Sequence, residues 1–177
     1  MERGIERILV SEQEIAATVA RLGREITAHY REAGGELLVV GLLRGSFVFM
    51  ADLVRQIRLP LTVDFMIVSS YGTGTTSSGE VQLVMDCNQS IAGKDVLLVE
   101  DIVDTGRTLV KVLELLRLRG PRSLKVCSFL SKPSRRQVEV AIDFCGCTIP
   151  DEFACGYGLD YAGKYRNLPY VGVLEQT

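Results

Sequence analysis

Apolar residues recur along the chain at two periods, and the two alternate. Ile15, Val19, Leu22 and Ile26 stand three or four apart, which marks one face of a helix. Ser11 and Glu14 precede them at the spacing of a capping box, and Gly34-Gly35 supply a stop. Residues 36–43 form an apolar run of strand length, read as a buried strand, and 46–57 return to a helical pattern. A strand at 61–69 is entered by Pro60, and a further strand at 81–85 is able to pair with it. Strands are also predicted at 95–100, 123–130 and 138–144, with Leu109, Val112, Leu113 and Leu116 marking a helix between the first two. This alternation predicts an α/β fold with a mainly parallel sheet flanked by helices. No repeat or linker divides the chain, so 1–177 is expected to be a single domain.

Composition narrows the function classes. A chain of 177 residues can bury a substantial core, and 47% hydrophobic with 24% charged residues is the balance of a soluble globular protein. A formal net charge of −2 offers no positive field for nucleic acid. No apolar run approaches a membrane span, and 1–14 lack the apolar core of a signal peptide, so a cytoplasmic location is expected. The five cysteines are odd in number and form no CxxC pair. Cys145 and Cys147 would share a strand face, but zinc wants about four ligands and the only histidine, His29, is distant in sequence. Buried thiols in a reducing compartment are the expectation, and a histidine-dependent mechanism is not.

The richest chemistry lies in KDVLLVEDIVDTGRTL, residues 94–109. A buried strand ends in Glu100 and Asp101, Asp104 follows, and a helix opens directly after. The first N–H groups of a helix have no partner within it and sit at the positive end of its dipole. A phosphate there would meet main-chain donors of Thr105, Gly106, Arg107 and Thr108, with two hydroxyls beside them. Carboxylates this close to a phosphate repel it unless a hard cation or ribose hydroxyls intervene, and Mg2+ suits oxygen ligands. Leu43, Arg44 and Gly45 repeat the strand-to-helix layout and add a fixed positive charge. An exposed arginine in an ordinary turn would look the same by spacing alone. Residues 71–79 are small and flexible with no apolar anchor, the composition of a surface connection or of a lid.

A receiver-type phosphoacceptor domain also carries paired acids after such a strand, but on its first strand, whereas about ninety residues precede this one. VEDIVDTGRT instead resembles the phosphoribosyl-pyrophosphate motif of the type I phosphoribosyltransferases, and its flanks resemble the bacterial 6-oxopurine (hypoxanthine) branch. GLLRGSFVFMADL, VDFMIVSSYG, SKPSRR and IPDEFACGYGLDYAGKYRNLPY match that branch in order, covering most of 8–172.

The resemblance implies the type I fold with a small hood from about 1–10 and 150–177. It implies transfer of 5-phosphoribose from phosphoribosyl pyrophosphate to hypoxanthine, with guanine a further substrate, by a Mg2+-dependent homodimer or homotetramer. Asp104 would be the general base, and Glu100 and Asp101 would hold the ribose hydroxyls and the metal. Residues 104–108 would cradle the 5′-phosphate. Leu43, Arg44, Gly45, Ser70, Tyr71 and Arg166 would face pyrophosphate, with a non-proline cis peptide at Leu43–Arg44 and a lid over 71–79. Phe153 would stack on the purine, Lys132 would donate to its 6-oxo group, and Ala154 and Asp160 would read its edge, Asp160 also lying near a second metal. Ala154 stands where the family usually has a larger aliphatic residue, which implies a looser pocket. Taken alone, Phe153 could be core packing and Lys132 a solvated charge. Two rivals remain: a regulatory protein of this fold binding RNA or DNA through Arg117, Arg119, Arg122, Lys125, Lys132, Arg135 and Arg136, or an enzyme for another base such as xanthine.

Overall fold

The computed structural model describes residues 4–70 and 81–175. Tyr71 and the segment expected to be a lid lie outside the described residues. Strand β1 (Ile5–Val10) leads into helix α1 (Glu12–Ala33), which opens on the predicted capping box: Ser11 accepts from the Glu14 N–H while the Glu14 carboxylate accepts from Ser11. The helix ends at Gly34 in the left-handed conformation, φ 65°, which glycine adopts without strain.

Then follow β2 (Leu37–Leu43), α2 (Phe47–Gln56), β3 (Leu61–Ser70), β4 (Val81–Met85), β5 (Asp95–Val103) and α3 (Arg107–Arg117). The chain closes with β6 (Ser123–Ser131), a 3-10 turn (Pro133–Arg135), β7 (Phe144–Thr148), β8 (Ala154–Cys155) and β9 (Val171–Leu174). Six strands form one sheet in the order β4-β3-β2-β5-β6-β7, parallel except for the antiparallel β3–β4 pair. Successive residues of β2 supply opposite cores. Leu37 and Val39 pack with α1 and α2, and Leu38 and Val40 with Leu109, Val112, Leu113 and Leu116 of α3. A sheet covered on both faces needs such unbroken apolar strands.

The strand order reverses between β2 and β5, which are neighbours in the sheet. At such a switch point the connections leaving two adjacent parallel strands turn to opposite faces, and a crevice opens at their carboxyl ends. The turns after Leu43 and after Val103 leave there. A separate antiparallel sheet, β1-β9-β8, joins the two ends of the chain as the expected hood.

Two sequence expectations need correction. The strand predicted at 138–144 is absent there, and β7 begins at Phe144. Val140 and Ile142 do turn inward, but they pack on the α3 side of the core while the Gln137 and Val138 N–H groups bond to Thr105. Alternation reported burial without sheet pairing. The strand predicted at 95–100 runs on to Val103, so Glu100 and Asp101 lie within β5, with Glu100 opposite Ser128.

Candidate active site

Two strand-to-helix turns meet at the switch point. In the first, the Leu43–Arg44 peptide is cis, Arg44 is exposed, and the Phe47 N–H bonds back to the Arg44 carbonyl at 3.3 Å. Buried Ser46 donates its hydroxyl to the Leu42 carbonyl at 2.6 Å, which ties the turn to the end of β2. In the second, Gly106 caps α3 at φ 83° and has no side chain with which to bond the helix N-terminus. A Cβ there would also press on the Val138 carbonyl and the Arg136 side chain, each about 3 Å away. Thr105 reaches the Arg107 N–H at 3.4 Å.

Asp101 joins the two turns. One of its oxygens, Oδ1, accepts from the Ile102 N–H at 2.8 Å, and the carboxylate fills the space that a Cβ on Gly45 would take. Burial among the strand ends pushes Asp101 up to about 6, against main-chain hydrogen bonds that hold it down. Burial, and then Asp101 beside it, raises Glu100 well above the usual carboxylate range. A cation or hydroxyl donors arriving at these acids would favour their charged forms. Among the described residues no three carboxylates converge into a ready-made metal cage. That suits Mg2+, which commonly takes one or two carboxylates and completes its shell with substrate phosphates and water.

Asp104 is half exposed and ion-paired to Arg135 at 3.3 Å, which also lies 3.7 Å from Asp151. Lys132 is buried, with its N–H bonded to the Val103 carbonyl, so it is no solvated surface charge. Phe153 is 56% exposed and its ring meets Tyr161 edge-on at 5.5 Å, so it does not serve the core. Ala154 is buried in the hood, paired with Val173. Asp160 accepts from the Gly163 N–H and from Arg166, whose other nitrogen donates to the Gly158 carbonyl at 2.7 Å. Gly158 lies against the Gly45 carbonyl, which brings this loop to the first turn. Ser70 ends β3 opposite Val81. The structure thus gathers the strand acids, both turns and the 160–166 loop around one crevice.

Sequence reasoning missed several partners. Arg135 counted only towards a basic stretch, and Tyr157, Asp52 and Gly158 carried no signal beyond the glycines flanking Tyr157. The basic stretch itself is largely spoken for: Arg119 pairs with Asp86, Arg122 with Asp95 and Lys125 with Asp143, while Arg136 donates to Ser131. His29 packs on Tyr30 and Phe144, and all five cysteines are free thiols, Cys87 being pushed up to about 11 chiefly by burial.

Comparison with known proteins agrees with this geometry. Residues 8–162 match the family described as Phosphoribosyl transferase domain. The hypoxanthine phosphoribosyltransferase of Salmonella typhimurium is 55% identical over 165 residues, 93% of each chain. That of Haemophilus influenzae is 55% identical over 172 residues, 96% of each. A crystal structure of a hypoxanthine phosphoribosyltransferase from Staphylococcus aureus aligns with a TM-score of 0.93 at 46% identity, covering 97% of this chain and 92% of that one.

Proposed function

We infer the activity from one premise: the chain belongs to the phosphoribosyl transferase family. It is a purine salvage enzyme that transfers 5-phosphoribose from phosphoribosyl pyrophosphate to hypoxanthine, with guanine as a second acceptor. The products are the purine nucleoside monophosphate and pyrophosphate. The observation that carries the residue roles is the meeting of two phosphate-sized turns at the switch point, with the Asp101 carboxylate seated against Gly45.

The start of α3, with Thr105, Gly106, Arg107 and Thr108, receives the 5′-phosphate. Leu43, Arg44 and Gly45 hold the pyrophosphate, with Ser70, Tyr71 and Arg166 beside it. Glu100 and Asp101 take the ribose hydroxyls and, directly or through water, Mg2+, Asp160 lying near a second ion. Bound Mg2+ would supply positive charge to the departing pyrophosphate. Phe153 lends its open face to the purine ring, and Ala154 offers main-chain groups to its edge. Lys132 has donors only, so it selects a 6-oxo group over the amino group of adenine. As N9 of the base bonds to C1 of the ribose and the bond to pyrophosphate breaks, Asp104 takes the proton from N7. Asp104 must then leave Arg135 or share it. Positive charge developing on the sugar is stabilised by the strand acids.

The chain acts as one catalytic domain over 1–177 with its hood at the two ends, in the cytoplasm. Among the described residues no helix is long and apolar enough to cross a membrane. A homodimer or homotetramer would use the apolar helix α2, where Phe47 is exposed. Light scattering on the purified protein reads the assembly directly. The pairing of Arg119, Arg122 and Lys125 with acids leaves the nucleic-acid reading little charge to use.

The test is pyrophosphate release from phosphoribosyl pyrophosphate, with hypoxanthine, guanine, xanthine and adenine offered separately. Turnover with hypoxanthine, abolished by a chelator and restored by Mg2+, is the expected result. Tight binding of phosphoribosyl pyrophosphate with no turnover on any base would overturn the reading.

A further inference from the structure

One part-buried polar contact joins α2 to the C-terminal loop. The Tyr157 hydroxyl donates to Asp52 Oδ2 at 2.7 Å, and Asp52 also pairs with Arg55 on the same helix. Tyr157 is buried, and its ring lies edge-on to Phe129 at 5.1 Å, which in turn meets Phe49 of α2. Burial, and then the bond to Asp52, holds the phenol well above its ordinary range, so it stays a donor at every working pH. Its backbone takes φ 49°, the left-handed region that side chains rarely adopt, and its N–H bonds to the Leu168 carbonyl at 2.9 Å.

The next residue explains why this conformation matters. Gly158, at φ 100°, lies so close to the Gly45 carbonyl that a Cβ would strike it. Its N–H bonds to the Arg166 carbonyl at 3.0 Å, and its own carbonyl accepts from Arg166. Gly45 is therefore packed at its Cα against Asp101 and at its carbonyl against Gly158. The second support is anchored to α2, the helix that leaves the turn, through Tyr157 and Asp52.

We propose that Tyr157 is a positioning residue for the turn at Leu43–Gly45. By gripping Asp52 it sets Gly158 against Gly45 and aligns that turn with the loop carrying Asp160 and Arg166. The proposal rests on reading this turn as the pyrophosphate-binding one. Neither Tyr157 nor Asp52 touches substrate, so their loss should be felt through the phosphoribosyl donor and not through the purine.

The experiment compares Tyr157→Phe, which keeps the buried ring, with Asp52→Ala, Asp52→Asn and the Tyr157→Phe/Asp52→Ala double variant. Tyr157→Phe and Asp52→Ala should each raise KM for phosphoribosyl pyrophosphate by about three- to tenfold, the worth of one hydrogen bond. KM for hypoxanthine should stay within about twofold, and the double variant should be no worse than either single one, because both remove the same contact. Asp52→Asn keeps an acceptor oxygen and should show the smaller rise. In the free protein, amide exchange over 43–46 should quicken in Tyr157→Phe, a readout independent of turnover.

Equal changes in both KM values, multiplicative effects in the double variant, or a rise in Asp52→Asn matching Asp52→Ala would overturn the proposal. Should Tyr157→Phe fail to fold, the two Asp52 variants, on a side chain 35% exposed, decide by the same comparison. An inactive wild type would sink the functional reading, whereas an active wild type with an indifferent Tyr157→Phe sinks only the positioning role.

Discussion

Gly45→Ala isolates the close packing on which the crevice depends. Gly45 does not need glycine for a positive φ, since it is not among the glycines in that region. It needs glycine because the Asp101 carboxylate occupies the Cβ site. A methyl there would overlap Asp101 Oδ2 outright and stand 2.6 Å from its Cγ, where ordinary contact begins at 3.4 Å, so the two groups must separate by well over about 0.8 Å. Asp101 cannot easily swing away, because its other oxygen holds the Ile102 N–H. Either the turn or the carboxylate is displaced by more than about 1 Å, so the cost of a misplacement of about 1 Å is a lower bound. A misplacement of about 1 Å at a substrate-positioning group costs about 10²-fold in rate, or about 2.7 kcal/mol of transition-state stabilisation. Steady-state kinetics with varied phosphoribosyl pyrophosphate should show kcat/KM lowered by at least that factor. Thermal stability should also fall, because overpacking against a buried carboxylate costs about 1–3 kcal/mol. An alanine variant within about threefold of wild type on kcat/KM would refute the reasoning.

If Asp104 takes the N7 proton, Asp104→Asn should lower kcat by about 10²–10⁴-fold while binding of phosphoribosyl pyrophosphate, read by titration calorimetry, hardly changes; near-normal turnover would exclude it as the base. Phe153→Ala should raise KM for hypoxanthine by about tenfold, since base–aromatic stacking is worth about 1–3 kcal/mol, and leave the melting temperature almost unmoved because the ring is exposed. An unchanged purine KM would count against stacking. Asp101 is raised from 3.8 to about 6, so its favourable contribution to folding is complete below about pH 4 and lost as the pH rises through about 6. Denaturant unfolding of ligand-free protein should therefore find Asp101→Asn gaining on wild type between pH 4 and 7, by on the order of 1–3 kcal/mol; a constant gap would refute it.

Much of this was legible because the informative residues act locally. The capping box at Ser11 and Glu14, the stop at Gly34 and the helical face of α3 each depend on neighbours a few positions away. The turn at 104–108 is equally local, since a helix N-terminus creates its own donors. What could not be read depends on contacts between distant segments. Val138, Val140 and Ile142 alternate like a strand, but periodicity reports which residues are covered and not which carbonyl takes their N–H groups. The Tyr157–Asp52 bond spans 105 positions, and nothing near either residue foretells it. Lys132 was ambiguous in sequence because a lysine after a strand is usually solvated; only its burial in the folded chain shows otherwise.

These long-range contacts share a direction. Asp101 supports Gly45 from β5, Gly158 supports it from the C-terminal loop, and Arg135 ties Asp104 towards Asp151 of the hood segment. Each links a turn at the switch point to a part of the chain that is remote in sequence. The turns supply binding chemistry from their own residues, but a helix N-terminus alone holds any anion. Selectivity for a sugar bearing phosphate at one end and pyrophosphate at the other requires the spacing between two such turns to be held, and only the distant contacts can hold it. Asp101 does so while carrying a charge that burial disfavours. The free protein therefore keeps an acid where folding alone would prefer a neutral group, and the arriving substrate with its cation relieves that cost. Binding energy drawn from this relief is available only to a ligand bringing positive charge or hydroxyl donors to the strand end, so a bare phosphate on either turn gains none of it.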